Sequence, residues 1–159
     1  EHGWYDKRWM FEESFRMPFL IRWPGKIKPG SRPAGLIQNI DYASTFLEMA
    51  GIQTPPEAKV QGRSLVPLMQ GRDKGWRKSL YYAYYEFGEH RVPQHFGVRT
   101  DRHKLIYFPR SKEWNLFDLK TDPHEMKSVH AEPDYQKIRK RLAAEFDRLR
   151  KHYDAPAFK

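Results

Sequence analysis

The first eight residues, Glu1-His2-Gly3-Trp4-Tyr5-Asp6-Lys7-Arg8, hold the densest set of reactive side chains in the sequence. A lysine ammonium is a compact point charge, suited to holding a tetrahedral oxyanion. The same residues also suit a solvated loop in which Asp6 partners Lys7 or Arg8. A second polar stretch is Glu89-His90-Arg91-Val92-Pro93-Gln94-His95-Phe96. His90 and His95 lie five apart, and His124 and His130 six apart, so neither pair has the helical i, i+4 register or third ligand of a zinc site. There is no cysteine, which excludes disulfides, thiolate metal sites and a cysteine nucleophile within this chain. No phosphate-cradling glycine loop and no Gly-x-Ser-x-Gly elbow occurs. Arg63 and Ser64 follow Gly62, where a turn with Leu65 and Leu68 packed inward accounts for them better than a nucleophile does.

These residues must be positioned by a modest core. The 159 residues amount to one ordinary domain, or one domain and part of another. Aromatic residues reach 15%, against wholesale disorder, and no apolar stretch is long enough to span a membrane. The net charge of +9 suits nucleic acid, an anionic surface or an anionic small substrate, without choosing among them. The opening lacks an initiator Met and a signal peptide, which leads us to expect further residues upstream, with any export signal among them.

The periodicity places the elements. A loop with a helical turn around Met10–Phe15 is expected first, then a short buried strand over Met17–Trp23, closed by Pro24-Gly25. Leu36-Ile37 reads as another short strand. A helix follows from an Asp41 N-cap to Gly51, with Phe46, Leu47 and Ala50 on one side. A Pro-rich loop and a short turn ending at Gly71 come next, and a boundary is expected at about residues 70–76. The aromatic run Tyr81–Phe87 suits a strand more readily than a sugar-stacking or base-stacking platform. Residues 96–100 and 104–108 form the arms of a hairpin, and Trp114–Leu119 a further strand. Tyr135, Ile138, Leu142, Phe146, Leu149 and Tyr153 mark an amphipathic helix whose other face is basic.

Several of these segments resemble, in order, the C-terminal part of a type I sulfatase. Glu1–Arg8 and Glu12–Gly25 carry the likeness first. Asp41–Gly51 is similar to the family's Asp-x-x-Pro-Thr-Leu-Leu-Glu-x-Ala-Gly helix, with Ser44 where Pro is usual and Thr45 retained. Gly62–Leu68 is similar to a Gly-x-Ser-Leu-x-Pro-Leu loop. Val98-Arg99-Thr100, Lys104-Leu105-Ile106 and Asn115–Glu125 resemble the closing hairpin and strand. The nearest likeness is to N-acetylglucosamine-6-sulfatases and mucin-desulfating sulfatases.

The resemblance implies an α/β enzyme of the alkaline-phosphatase-like kind. Residues 1–72 would end its large catalytic domain, and residues 73–159 would form a small antiparallel sheet packed by a C-terminal helix. It implies a sulfuric ester hydrolase acting on a sulfated sugar, with calcium and a formylglycine made from Cys or Ser in a Cys/Ser-x-Pro/Ala-x-Arg motif. No such motif is present, so the chain alone is expected to be inactive, with nucleophile and metal ligands upstream and neither cofactor bound here. The missing N-terminal domain would then be its partner, and a periplasmic or secreted location is expected. Lys7 matches the lysine that contacts a sulfate oxygen, and His2 suits a hydrogen-bonding loop residue. His95 and His90 would hydrogen-bond sugar hydroxyls, and Arg91 would meet a neighbouring anionic group, although a plain polar hairpin loop also fits this stretch. The competing reading is a non-catalytic binding module, for sulfated glycan or nucleic acid, that uses the basic helix. No nucleic-acid motif is recognised, and the main reading expects no nucleic-acid partner.

Overall fold

The computed structural model describes residues 2–3, 7–86 and 91–158. The chain forms two compact units, one made by the residues up to Pro18 together with Ser79 onward, the other by Phe19–Lys78.

The first unit is built on a four-stranded antiparallel sheet in the order β1-β2-β3-β4. Its strands are β1 (Ser79–Tyr84), β2 (His95–Thr100), β3 (His103–Phe108) and β4 (Glu113–Asp118). The register sets Val98 opposite Tyr81 and Leu105, and Leu105 opposite Leu116. Alternation then gives the sheet two apolar faces. Phe96, Val98, Leu105 and Leu116 face helix α4 (Gln136–His152), which contributes Leu142, Phe146 and Leu149 to a common core. Each of these buried side chains adds roughly 1.5–3 kcal/mol relative to exposure. The helix ends in Arg150, Lys151 and His152, cations that suit its C-terminal dipole. Much of its basic face is engaged: Arg139 donates to the His130 carbonyl, Arg148 pairs with Glu145, and Arg150 stacks on Phe158.

The opposite face carries Lys104, Ile106 and Phe108 from β3 and Gly97 from β2. Met10, fully buried, packs there with Ile106, Phe108 and Phe117. A Cβ at Gly97 would stand 2.4 Å from the Met10 sulfur and 2.7 Å from the Leu105 carbonyl oxygen, so only glycine lets the segment lie this close. The one-turn helix α1 (Glu12–Phe15) follows. The N-terminal segment therefore groups with the sheet, and by contact the second unit ends at Lys78.

In the second unit, helix α2 (Asp41–Met49) buries Asp41, Ser44 and Thr45, while Phe46 lies 60% exposed. The expected apolar side is thus replaced by a polar one. Asp41 is the first helical residue and not the N-cap. Its carboxylate accepts from the Gln38 and Arg63 backbone N–H groups and is gripped by both terminal nitrogens of Arg77. Gly51 ends the helix at φ +73. Helix α3 (Val66–Met69) packs Leu65, Val66 and Met69 against Phe19, Ile21 and Trp23. Met17–Trp23 is extended but is not a strand here, nor is Leu36-Ile37. The alternation exists, with Phe19, Ile21 and Trp23 inward and Leu20 95% exposed, yet no described strand pairs with it.

Candidate functional site

Lys7 is exposed and opens the segment that lies across the sheet. The residues after it are fastened one by one. The Tyr82 hydroxyl donates to the Arg8 carbonyl at 2.7 Å, and Arg8 lies 3.8 Å from the Glu86 carboxylate. Trp9 stacks between His95 and Phe11, at ring separations of 5.4 and 5.8 Å. The Ser14 hydroxyl closes back on the Trp9 carbonyl. His2 stacks on Phe11 at 4.0 Å, with its Nε2 3.8 Å from Glu13.

Beneath this segment lies a buried ionic cluster. Lys104 is wholly buried, and its ammonium reaches the Met10 carbonyl at 2.5 Å, Glu12 Oε1 at 2.9 Å and Glu125 Oε1 at 2.7 Å. The ammonium thus donates to the Met10 carbonyl and forms close ion pairs with two carboxylates. Arg99, opposite Lys104 in the β2–β3 register, grips both oxygens of Glu12. Glu125 Oε2 accepts the Glu12 backbone N–H at 2.6 Å. Burial alone would raise the Glu12 carboxyl, but the Arg99 hydrogen bonds and the Lys104 charge outweigh it and hold Glu12 down at about 2. Burial prevails at Glu125, whose carboxyl is pushed up despite Lys104. Glu125 also has a left-handed backbone, φ +56, uncommon for a residue with a side chain.

A second clamp sits on the helix face. Asp118 is gripped by Arg102 through two hydrogen bonds and accepts from the Tyr135 hydroxyl. The Arg102 hydrogen bonds hold its carboxyl far below the usual carboxylate range.

The 89–96 stretch divides. His90 lies outside the described residues. Arg91 is exposed and has φ +56, beside the buried Val92. His95 has no exposed surface and is ringed by Trp9, Tyr82, Tyr84 and Phe108 at 5.4–5.7 Å. Its Nδ1 stands 2.9 Å from the Pro93 carbonyl, which can only accept, so Nδ1 carries the hydrogen. Burial lowers the pKa of its ring, and its Nε2 has no hydrogen-bond partner among the described residues. The structure thus places His95 on β2, within the sheet's packed face.

The ionic cluster went unread in the sequence, although strand parity could have found it. Lys104 shares its face with Ile106 and Phe108, so a strand that buries those two buries Lys104 as well.

The described residues do not fit the calcium of the sulfatases, and the sequence holds no Cys/Ser-x-Pro/Ala-x-Arg motif for a formylglycine. The sequence has no cysteine, and among the described residues no group of three or more His, Asp or Glu is placed to hold a metal ion. The two carboxylates that do converge, Glu12 and Glu125, converge on the Lys104 ammonium. Among the described residues, no helix is long and apolar enough to cross a membrane.

Comparison with known proteins is consistent across the chain. Residues 1–152 match the family described as N-sulphoglucosamine sulphohydrolase, C-terminal. An N-acetylglucosamine-6-O-sulfatase of Bacteroides thetaiotaomicron is 43% identical over 158 residues, covering 96% of this chain and 28% of that protein. An arylsulfatase of Clostridium perfringens is 30% identical, covering 92% of this chain and 31% of its own length. A solved structure described as a complex with its substrate D-glucosamine-2-N,6-O-disulfate superposes with a TM-score of 0.91 at 42% identity. It covers 97% of this chain, which spans 32% of the solved one. The chain thus spans about a third or less of the proteins it resembles.

Proposed function

We propose, on the premise that the chain belongs to the N-sulphoglucosamine sulphohydrolase C-terminal family, that the whole polypeptide hydrolyses a sulfate ester on an amino sugar. The observation that carries this reading is the match, across nearly the whole chain, to an N-acetylglucosamine-6-O-sulfatase. A glucosamine sulfated at the 6-oxygen is the substrate class it favours. Residues 1–72 then close the catalytic domain and residues 73–159 form the smaller one. The enzyme acts in the periplasm or outside the cell, as the family resemblance suggests.

Lys7 is the residue of this chain that we place at the sulfate. As the S–O bond breaks, charge on the non-bridging oxygens must be held, and a fixed ammonium does this best in a site that excludes water. The calcium and formylglycine that the family implies are left to other parts of the polypeptide. Arg91, exposed and held in a left-handed turn, is the member of the 89–96 stretch that meets a second anionic group on the sugar. His95 serves the site from beneath, packing against Trp9 next to the anchored segment.

The test is sulfate release by the full-length polypeptide from N-acetylglucosamine-6-sulfate, compared with the same sugar sulfated at other positions. Lys7→Ala lowers kcat on the order of 10²-fold or more. A Lys7→Ala enzyme with parental kcat, or a parent enzyme inert toward every sulfated amino sugar, overturns the reading.

A further inference from the structure

The segment that begins at Lys7 is tied to the sheet through its main chain at alternate residues. Tyr82 holds the Arg8 carbonyl, Lys104 holds the Met10 carbonyl, and Glu125 holds the Glu12 N–H. These ties come from β1, from β3 and from the turn after β4, so the segment is referenced to the sheet at three separate points. We propose that Tyr82, Lys104 and Glu125 are positioning residues that fix where the Lys7 ammonium stands. This rests on the reading of Lys7 as the residue at the sulfate.

Two features favour positioning over plain adhesion. Apolar packing already holds the segment down, since Met10 is fully buried over Gly97, and Phe15 meets the Tyr82 ring edge-on at 5.3 Å. An ammonium and two carboxylates add desolvation cost there, and well-packed apolar residues would serve stability as well or better. What the polar groups add is direction. They bind backbone atoms, which fixes the path of the chain beyond what a sliding apolar contact can fix. The strained φ of +56 at Glu125 belongs to the same arrangement, since it falls on the residue whose carboxylate bridges Lys104 and the Glu12 N–H. A displacement of about 1 Å in a catalytic group can cost 10²-fold in rate, so a lysine on a loosely held loop gains from such ties.

Two variants of the full-length enzyme test the proposal. Tyr82→Phe removes only the hydroxyl that holds Arg8. Lys104→Met combined with Glu125→Gln removes one charge of each sign, leaves the Arg99–Glu12 pair in place and keeps an acceptor for the Glu12 N–H. Each is made alone and with Lys7→Ala, and kcat, KM and the melting temperature are measured. We expect kcat to fall several-fold for Tyr82→Phe and about 10- to 100-fold for the pair, with KM little changed. Both losses should vanish in the Lys7→Ala background, because a residue acting through Lys7 has nothing left to act on. A kcat loss of equal size with and without Lys7 overturns the proposal. So do variants that change only the melting temperature, or that fail to fold, since the ties are then structural. If Lys7→Ala itself leaves kcat intact, the reading of Lys7 fails instead, and the two failures are distinguished.

Discussion

Glu12→Gln removes one negative charge from the buried cluster and changes the shape of the side chain little. Glu12 faces Arg99 from β2, Lys104 from β3 and Glu125 from the turn after β4. Its carboxyl stands at about 2 against an ordinary 4.5, a difference worth about 3 kcal/mol of folded-state preference for the ionised form. The folded value is depressed, so this contribution is complete above about pH 4.5 and is lost as the pH falls toward 2. Glutamine mimics the protonated acid at every pH. At pH 7 the variant should therefore be about 3 kcal/mol less stable than the parent, near the cost of breaking a buried pair. The difference should narrow as the pH falls below 4.5 and close toward pH 2. The raised carboxyl of Glu125 takes up its proton earlier, and after burial the Glu12 charge is one of the causes that raise it. Glu12→Gln therefore eases the ionisation of Glu125 beside Lys104 and makes about 3 kcal/mol the upper end of the expected loss. Urea unfolding followed by tryptophan fluorescence, at half-unit pH steps, measures the gap. Parallel stability curves over the whole range, or equal stability at pH 7, would refute the reasoning.

Other outcomes follow from the same contacts. Gly97→Ala pushes a Cβ into the Met10 sulfur and the Leu105 carbonyl and should cost about 1–3 kcal/mol. In a Met10→Ala background, itself weakened by the cavity, the added cost of Gly97→Ala should be smaller but not zero, because the carbonyl clash remains, and paired thermal melts check it. Phe146→Ala empties the core between helix and sheet and should cost about 3–5 kcal/mol by urea titration. Asp118→Asn weakens the Arg102 grip and lowers the melting temperature at neutral pH, with the deficit shrinking as acid protonates the parent's Asp118. His95→Phe keeps the ring within its aromatic surroundings, so it should alter stability and leave KM for the sugar unchanged; a raised KM would return His95 to the substrate.

The sequence was most legible where one period ran without interruption. The 3- and 4-residue spacings from Ile138 to Leu149 appear as α4, and the hairpin around Asp101-Arg102 appears as β2 and β3. It misled where a pattern needed a partner that only the tertiary structure reveals. Phe19, Ile21 and Trp23 alternate as a strand does, yet a strand also requires a neighbour for its backbone. In α2 the apolar residues drew attention to Phe46, whereas Thr45, which donates to the Asp41 carbonyl and accepts the Leu65 N–H, is the buried one. The site was half legible for the same reason. Lys7 is proposed from its motif, and strand parity marks Lys104 as buried, but the ties of the cluster join residues 94 and 113 positions apart, a relation that no local pattern encodes.

The sheet has α4 on one face and the segment carrying Lys7 on the other. A nonsense codon before Gln136 would therefore do more than shorten the tail. It would strip one side of the sheet and let the strands that hold Met10 and Glu12 come apart. If Lys7 acts as proposed, a lesion near the last residues would weaken a group near the first, and mutations in α4 should score as loss of activity although none of its residues belongs to the segment carrying Lys7.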